Sequence, residues 1–127
     1  MKRLLLLAAA AAGCASGAQQ TPGSPASTTP SKEGTGNDAK WVFKVKNTAA
    51  KTLKIAALEF AHGGGEFKAV GGMAEIAHAC RQGTTTIAAG DAIEILTTAS
   101  GGAVRMRLTY VIDGADKRWV DVVVGPQ

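Results

Sequence analysis

Residues 41–127 predict an all-β fold, a small antiparallel sandwich of six or seven strands with one short helix. Three observations lead there. Apolar residues recur at every second position in short runs, the pattern of a strand with one buried face. Turn signals rich in Gly, Asn and Asp separate those runs at the roughly 8–12-residue spacing of sandwiches and barrels. One segment, Met73 to Gln82, departs from the alternation.

The elements follow in order. Trp41, Phe43 and Val45 alternate with Val42, Lys44 and Lys46, a strand with one face inward, and Asn47-Thr48-Ala49-Ala50 turns the chain. From Lys51 to Phe60, Leu53 and Ile55 sit on one phase, Leu58 and Phe60 on the other. A change of phase inside one strand predicts a bulge near Ala56-Ala57. His62-Gly63-Gly64-Gly65 ends that strand, Glu66 to Val70 is a short strand, and Gly71-Gly72 breaks the chain again. In the exceptional segment Met73, Ile76, Ala77 and Cys80 fall at i, i+3, i+4 and i+7, and its Ala, Glu, Met and Arg are good helix formers. A short helix or an irregular crossover is therefore expected within 73–82; strand phasing would instead group Ala74, Ile76, His78 and Cys80. Thr84 to Ala88 and Ala92 to Thr98 are strands around the turn Ala89-Gly90-Asp91. Ala103 to Ile112 carries the clearest alternation, with Val104, Met106, Leu108, Tyr110 and Ile112 inward and Arg105, Arg107 and Thr109 outward. Asp113-Gly114-Ala115-Asp116 makes a hairpin turn into the last strand, Lys117 to Val124. There Val120, Val122 and Val124 form one face, which leaves Trp119 on the exposed phase.

Two stretches carry a likeness at fold level: Val45-Lys46-Asn47 followed by Lys51-Thr52-Leu53-Lys54-Ile55, and Thr86-Ile87-Ala88-Ala89-Gly90-Asp91 before a strand. Together they make the region from Phe43 to Leu96 resemble small bacterial immunoglobulin-like domains. That resemblance implies a fold and no activity.

The amino terminus has a different character. Met1-Lys2-Arg3 is a positive start, and Leu4 to Ala12 is an apolar stretch of nine residues. As a helix it would rise about 14 Å, against about 30 Å of hydrocarbon. That is the length of a secretory leader's apolar region, not of a spanning helix. Residues 1–13 are thus expected to be a signal peptide. Ala11-Ala12-Gly13-Cys14 resembles the lipobox of bacterial lipoproteins, with Ala11 where the family commonly has Leu. The resemblance implies cleavage before Cys14 and lipidation of Cys14, hence attachment to a membrane through its acyl chains. Two or more chains suffice for stable anchoring, where one is marginal. Ala15 follows the cysteine, and the expected location is the outer membrane, facing the periplasm or the cell surface. The alternative is a cut after Ser16-Gly17-Ala18, which would release a soluble periplasmic protein. Residues 15–40 hold no Leu, Ile, Val, Met or aromatic residue and are rich in Ala, Gly, Pro, Ser and Thr. Such a composition buries too little to offset its ordering entropy, so residues 14–40 are expected to be a lipidated cysteine and a disordered tether.

Charge and residue content narrow the function. The chain has 14 Lys+Arg against 10 Asp+Glu, and Lys2 and Arg3 belong to the leader. The remainder is near neutral and has no basic run, so nucleic acid is not an expected partner. Ser100 is the one serine after residue 40, and no carboxylate pair or Ser/His/Asp arrangement is apparent. A non-enzymatic protein without a cofactor is expected, a binding or structural module for an envelope protein or glycan. Arg105 and Arg107, with Arg118 and Trp119 across the hairpin, are its candidate binding surface; cross-strand pairing would bring them near one another. The alternative is a periplasmic copper protein. His78 and Cys80 would share a face on a strand. With His62 they are the candidate metal ligands, and Met73 and Met106 add soft donors suited to copper(I).

Overall fold

The computed structural model describes residues 18–19, 23–99 and 103–125. The expected leader, 1–13, and the expected lipidation site, Cys14, lie outside the described residues. Among the described residues, nine strands and one α-helix, besides a 3-10 turn at Gly36–Asp38, run in the order β1 (Ala18–Gln19), β2 (Ala26–Glu33), β3 (Lys40–Asn47), β4 (Leu53–His62), β5 (Lys68–Ala69), α1 (Met73–Ala79), β6 (Thr86–Ile87), β7 (Ala92–Thr98), β8 (Val104–Ile112) and β9 (Arg118–Val124). The larger sheet has the order β1-β9-β8-β4-β5, with β6 also on β4; the smaller has the order β2-β3-β7. All pairings are antiparallel. The sheets β2-β3-β7 and β9-β8-β4 pack as the two layers of an antiparallel β-sandwich.

Between the sheets, Phe43 and Val45 from β3, Leu58 from β4, Ile95 from β7 and Met106 and Leu108 from β8 are fully buried. The rings of Phe43 and Phe60, one from each sheet, lie 6.1 Å apart. The expected change of phase in β4 is a bulge: Ile55 pairs with Tyr110 and Ala57 with Thr109, leaving Ala56 extra. Leu53, Ile55, Leu58 and Phe60 all face the core as a result. The expected helix forms too. Glu75 Oε1 accepts from the Gly72 amide at 2.9 Å, and Ile76 plugs the core. Gly71 precedes it with φ +132°, and a Cβ there would meet Glu75 Cγ at 3.0 Å. Met73, expected on the inner stripe, is 47% exposed at the first turn.

Two expectations are corrected. The stretch 15–40 is not a tether throughout, since Ala26–Glu33 pairs with β3 over its whole length and buries Ala26 and Thr28. An edge strand draws its cohesion from main-chain hydrogen bonds on one side, tolerates Pro30, and needs only small inward side chains. The folded unit therefore begins well before residue 41, and the strand count exceeds seven. The second correction concerns β9. Asp121 and Val123 are buried, Trp119 packs against the core, and Val120 is 43% exposed. The valine face thus points outward and the Trp119 face inward.

Asp121 enters the core because donors await it there. The Tyr110 hydroxyl donates to its Oδ2 at 2.7 Å and Ser24 Oγ donates at 2.8 Å, while Ser24 also contacts the Tyr110 hydroxyl. Ser24, just ahead of β2, is thereby fastened to β8 and β9 of the larger sheet. Burial, aided by Asp121 and opposed by the Ser24 hydrogen bond, pushes the Tyr110 phenol well above its ordinary value of 10.0. A raised folded-state value means that this stability is fully present below about pH 10 and is lost above it, at most about 1.4 kcal/mol per pH unit. Tyr110 is the single tyrosine. Its tyrosinate absorbance is therefore expected to appear only together with alkaline unfolding. Tyr110→Phe should flatten the alkaline limb while costing about 1–3 kcal/mol at neutral pH. Ionisation of Tyr110 in the folded protein near pH 10 would refute this account.

Candidate functional site

The outward face of the larger sheet gathers most of the expected binding residues. On β8, Arg105 and Arg107 alternate with the buried Val104, Met106 and Leu108. On β9, Arg118 shares the phase of Val120, Val122 and Val124. Register sets Arg105 beside Val124, Arg107 beside Val122, Thr109 beside Val120 and Val111 beside Arg118. On the other side of β8, Arg105 faces Ala61, Arg107 faces Glu59 and Val111 faces Lys54. The face is thus an apolar strip of valines bordered by cations.

Each arginine at the β8 end is held. Arg107 clamps Glu59 with two hydrogen bonds of 2.8 and 2.7 Å, which hold the Glu59 carboxyl below its ordinary range. Arg105 donates to the Gly65 carbonyl at 2.8 Å. Both guanidiniums lie on the Phe67 ring, 4.8 and 4.4 Å from its centre. Stacking on an aromatic face and two-point bonding are properties of guanidinium that an ammonium does not share. Held side chains of this kind lose little further freedom when they engage an anionic group.

Trp119 does not belong to this surface. It points inward against the core, with Lys117 Nζ 3.8 Å from its ring centre. The expected exposure of Trp119 failed because both phases of β9 are apolar, and the choice between them rests on Asp121 and its distant donors. Sequence reasoning also missed Phe67, thirty-eight or more positions from the arginines it supports. Lys44 and Lys46, expected on the outward phase of β3, do point outward together with Lys40 from the middle strand of the smaller sheet, a row not singled out as a candidate surface. Its alternation with Trp41, Phe43 and Val45 was the available signal. On that same face Arg81 bonds Glu94 on β7 and Glu33 on β2, each at 2.7 Å, so its side chain spans β3.

The candidate metal ligands are separated. Cys80 is buried and its thiol donates to the Ile76 carbonyl at 3.3 Å. Burial raises its pKa, away from the thiolate a metal needs. His62 lines a cleft of about 410 Å³ with Phe60, Glu66, Lys68 and Val70, and its Nε2 lies 3.3 Å from Thr97 Oγ1. His78 lines a different cleft of about 350 Å³ with Lys40, Leu96 and Thr98. Met106 is fully buried. Among the described residues no three His, Cys, Asp or Glu side chains form a group that could hold a metal ion. The helix is the reason: it turns Cys80 into the core and His78 to the surface, where a strand would have kept them on one side. Cys80 is accordingly expected to resist thiol reagents in the native protein and to react fully in denaturant; rapid native labelling would overturn its placement.

Fold and surface define a small β-sandwich with one cation-bordered sheet face. In comparisons with known proteins no family model matches the chain, and no match is found among curated proteins or solved structures. Among the described residues no helix is long and apolar enough to cross a membrane.

Proposed function

We propose that this chain is a lipid-anchored protein of the bacterial cell envelope, whose sandwich acts as a non-enzymatic binding or structural module. The observation that carries the proposal is the run Leu4–Ala12 leading into Ala11-Ala12-Gly13-Cys14, followed closely by a folded β domain. The acyl chains on Cys14 attach the protein to the outer membrane, and the sandwich presents Arg105, Arg107 and Arg118 to an envelope partner. The reactive groups of the domain favour this reading over catalysis: the lone thiol lies in the core, and the two histidines line separate clefts.

The test is an intact mass of the full chain expressed in a bacterial envelope. A product that begins at Cys14 and carries acyl chains supports the proposal. A soluble product that begins at Gln19 overturns the anchor, and one that retains copper favours a metal carrier instead. Replacing Arg105 and Arg107 by Glu is expected to weaken capture of envelope material at least several-fold; unchanged capture would dismiss the arginine face as the contact surface.

A further inference from the structure

We infer that the outward face of the larger sheet lies flat against the membrane that holds the Cys14 lipid, its valines at the interface and its arginines on anionic phospholipid headgroups. The inference rests on the lipidation of Cys14. It starts from the length of chain between the lipid and the fold. Ala18 is already paired with Val123, so four residue steps separate Cys14 from the first strand. At 3.3–3.6 Å per step such a leash reaches at most about 14 Å. The nine residues of β8 span about 30 Å. A leash shorter than the body it holds keeps some face of that body at the lipid surface, at an effective concentration where weak contacts count.

Position and chemistry select the face. The leash joins the larger sheet at its own edge, since β1 is the strand beside β9, and β1 enters at the end where Arg105 pairs with Val124. From that corner the valine strip runs away along β9. An outward sheet face in water carries mainly polar residues, and this one carries Val111, Val120, Val122 and Val124. Its cations fit the headgroup level. Arg105 and Arg118 flank the strip, and Glu59, across β8 from it, is already neutralised by Arg107. Guanidinium pairs with phosphate through two parallel hydrogen bonds, and its stem can lie along apolar surface while its head stays wet. The smaller sheet is the poorer match. Its face carries Lys40, Lys44 and Lys46 as well as Glu33 and Glu94 strapped by Arg81, but its outward Val42 is already buried, so it has cations without an apolar strip.

The experiment uses the full chain purified from bacterial membranes, with acylation verified by mass and the protein placed in phosphatidylglycerol-containing vesicles. Val120→Cys carries a polarity-sensitive thiol probe, Cys80 being buried, and Thr29→Cys on the exposed side of β2 serves as control. Lipid-borne quencher is expected to quench the probe at position 120 several-fold more than the probe at 29. That excess should disappear when Arg105 and Arg118 are both replaced by Glu, and also when twenty Gly and Ser residues are inserted after Ser16, with acylation intact in both. An acylated, vesicle-bound protein whose probe at 120 is no more quenched than that at 29 overturns the inference while leaving the anchor standing. Stronger quenching at 29 does the same in favour of the smaller sheet. A protein that carries no acyl chain overturns the anchor itself, and the inference with it.

Discussion

Deletion of Ala56 is expected to lower the stability of the sandwich by about 3–6 kcal/mol, enough to unfold a domain of ordinary stability. The expectation comes from register. β4 pairs with β8 on both sides of the bulge, and Ala56 is the residue without a counterpart. Side chains alternate with a period of two, so loss of one residue moves everything beyond it to the other face. Either Leu53 and Ile55 or Leu58 and Phe60 must then leave the core, and all four are buried. Exposing a large apolar side chain costs about 1.5–3 kcal/mol, and the deletion exposes two. The control keeps chain length: Ala56→Val, at a partly buried position, should cost less than about 1 kcal/mol. Urea denaturation of the two variants decides the matter. A deletion variant within about 1 kcal/mol of the parent would show that the bulge does not set the phase.

Asn47→Asp should have an effect of similar size, about 3–5 kcal/mol, by placing an uncompensated charge in the interior. Asn47 is fully buried at the end of β3. Its Nδ2 donates to the carbonyls of Lys51 and Ile87 at 2.8 and 2.9 Å, and its Oδ1 accepts from the Ala49 amide at 2.9 Å. Its own amide donates to Asp91 and its carbonyl accepts from Gly90. One side chain thus ties the β3–β4 turn to β6, and its main chain ties both to the turn before β7. An aspartate has the same shape but aims a negative oxygen at two carbonyls. The deficit should shrink at acid pH, because protonation restores one donor and removes the charge. Asn47→Ala, which leaves the same carbonyls unpaired without a charge, should cost less than Asp at pH 7 and lack that pH dependence. Equal losses at all pH values for the two variants would contradict the account.

The proposed surface divides along the same line as the fold. Arg105 and Arg107 could be placed outward from the sequence, because their neighbours Val104, Met106 and Leu108 are unambiguously apolar. The bulge at Ala56 and the helix at Met73–Ala79 were readable for the same reason: each is written in the spacing of nearby residues. Phe67, which supports both arginines, was not readable, because its contact is made by the pairing of β5 with β4 and not by local spacing.

What the sequence determined by itself was periodicity: where strands run, where they turn, and where phase slips. Tertiary structure decided what periodicity leaves degenerate. β2 is a strand because β3 offers it eight partners, although its Ser, Thr and Pro composition reads as a coil. β9 turns its valines outward because Tyr110 and Ser24 stabilise the carboxylate of Asp121 inside. Cys80 and His78 part company because a helix, fitted over the core by Ile76, rotates them to different sides. For β2 and β9, main-chain hydrogen bonds or buried polar partners from distant parts of the chain outweigh the local preference, and those partners meet only once the two sheets have closed on each other.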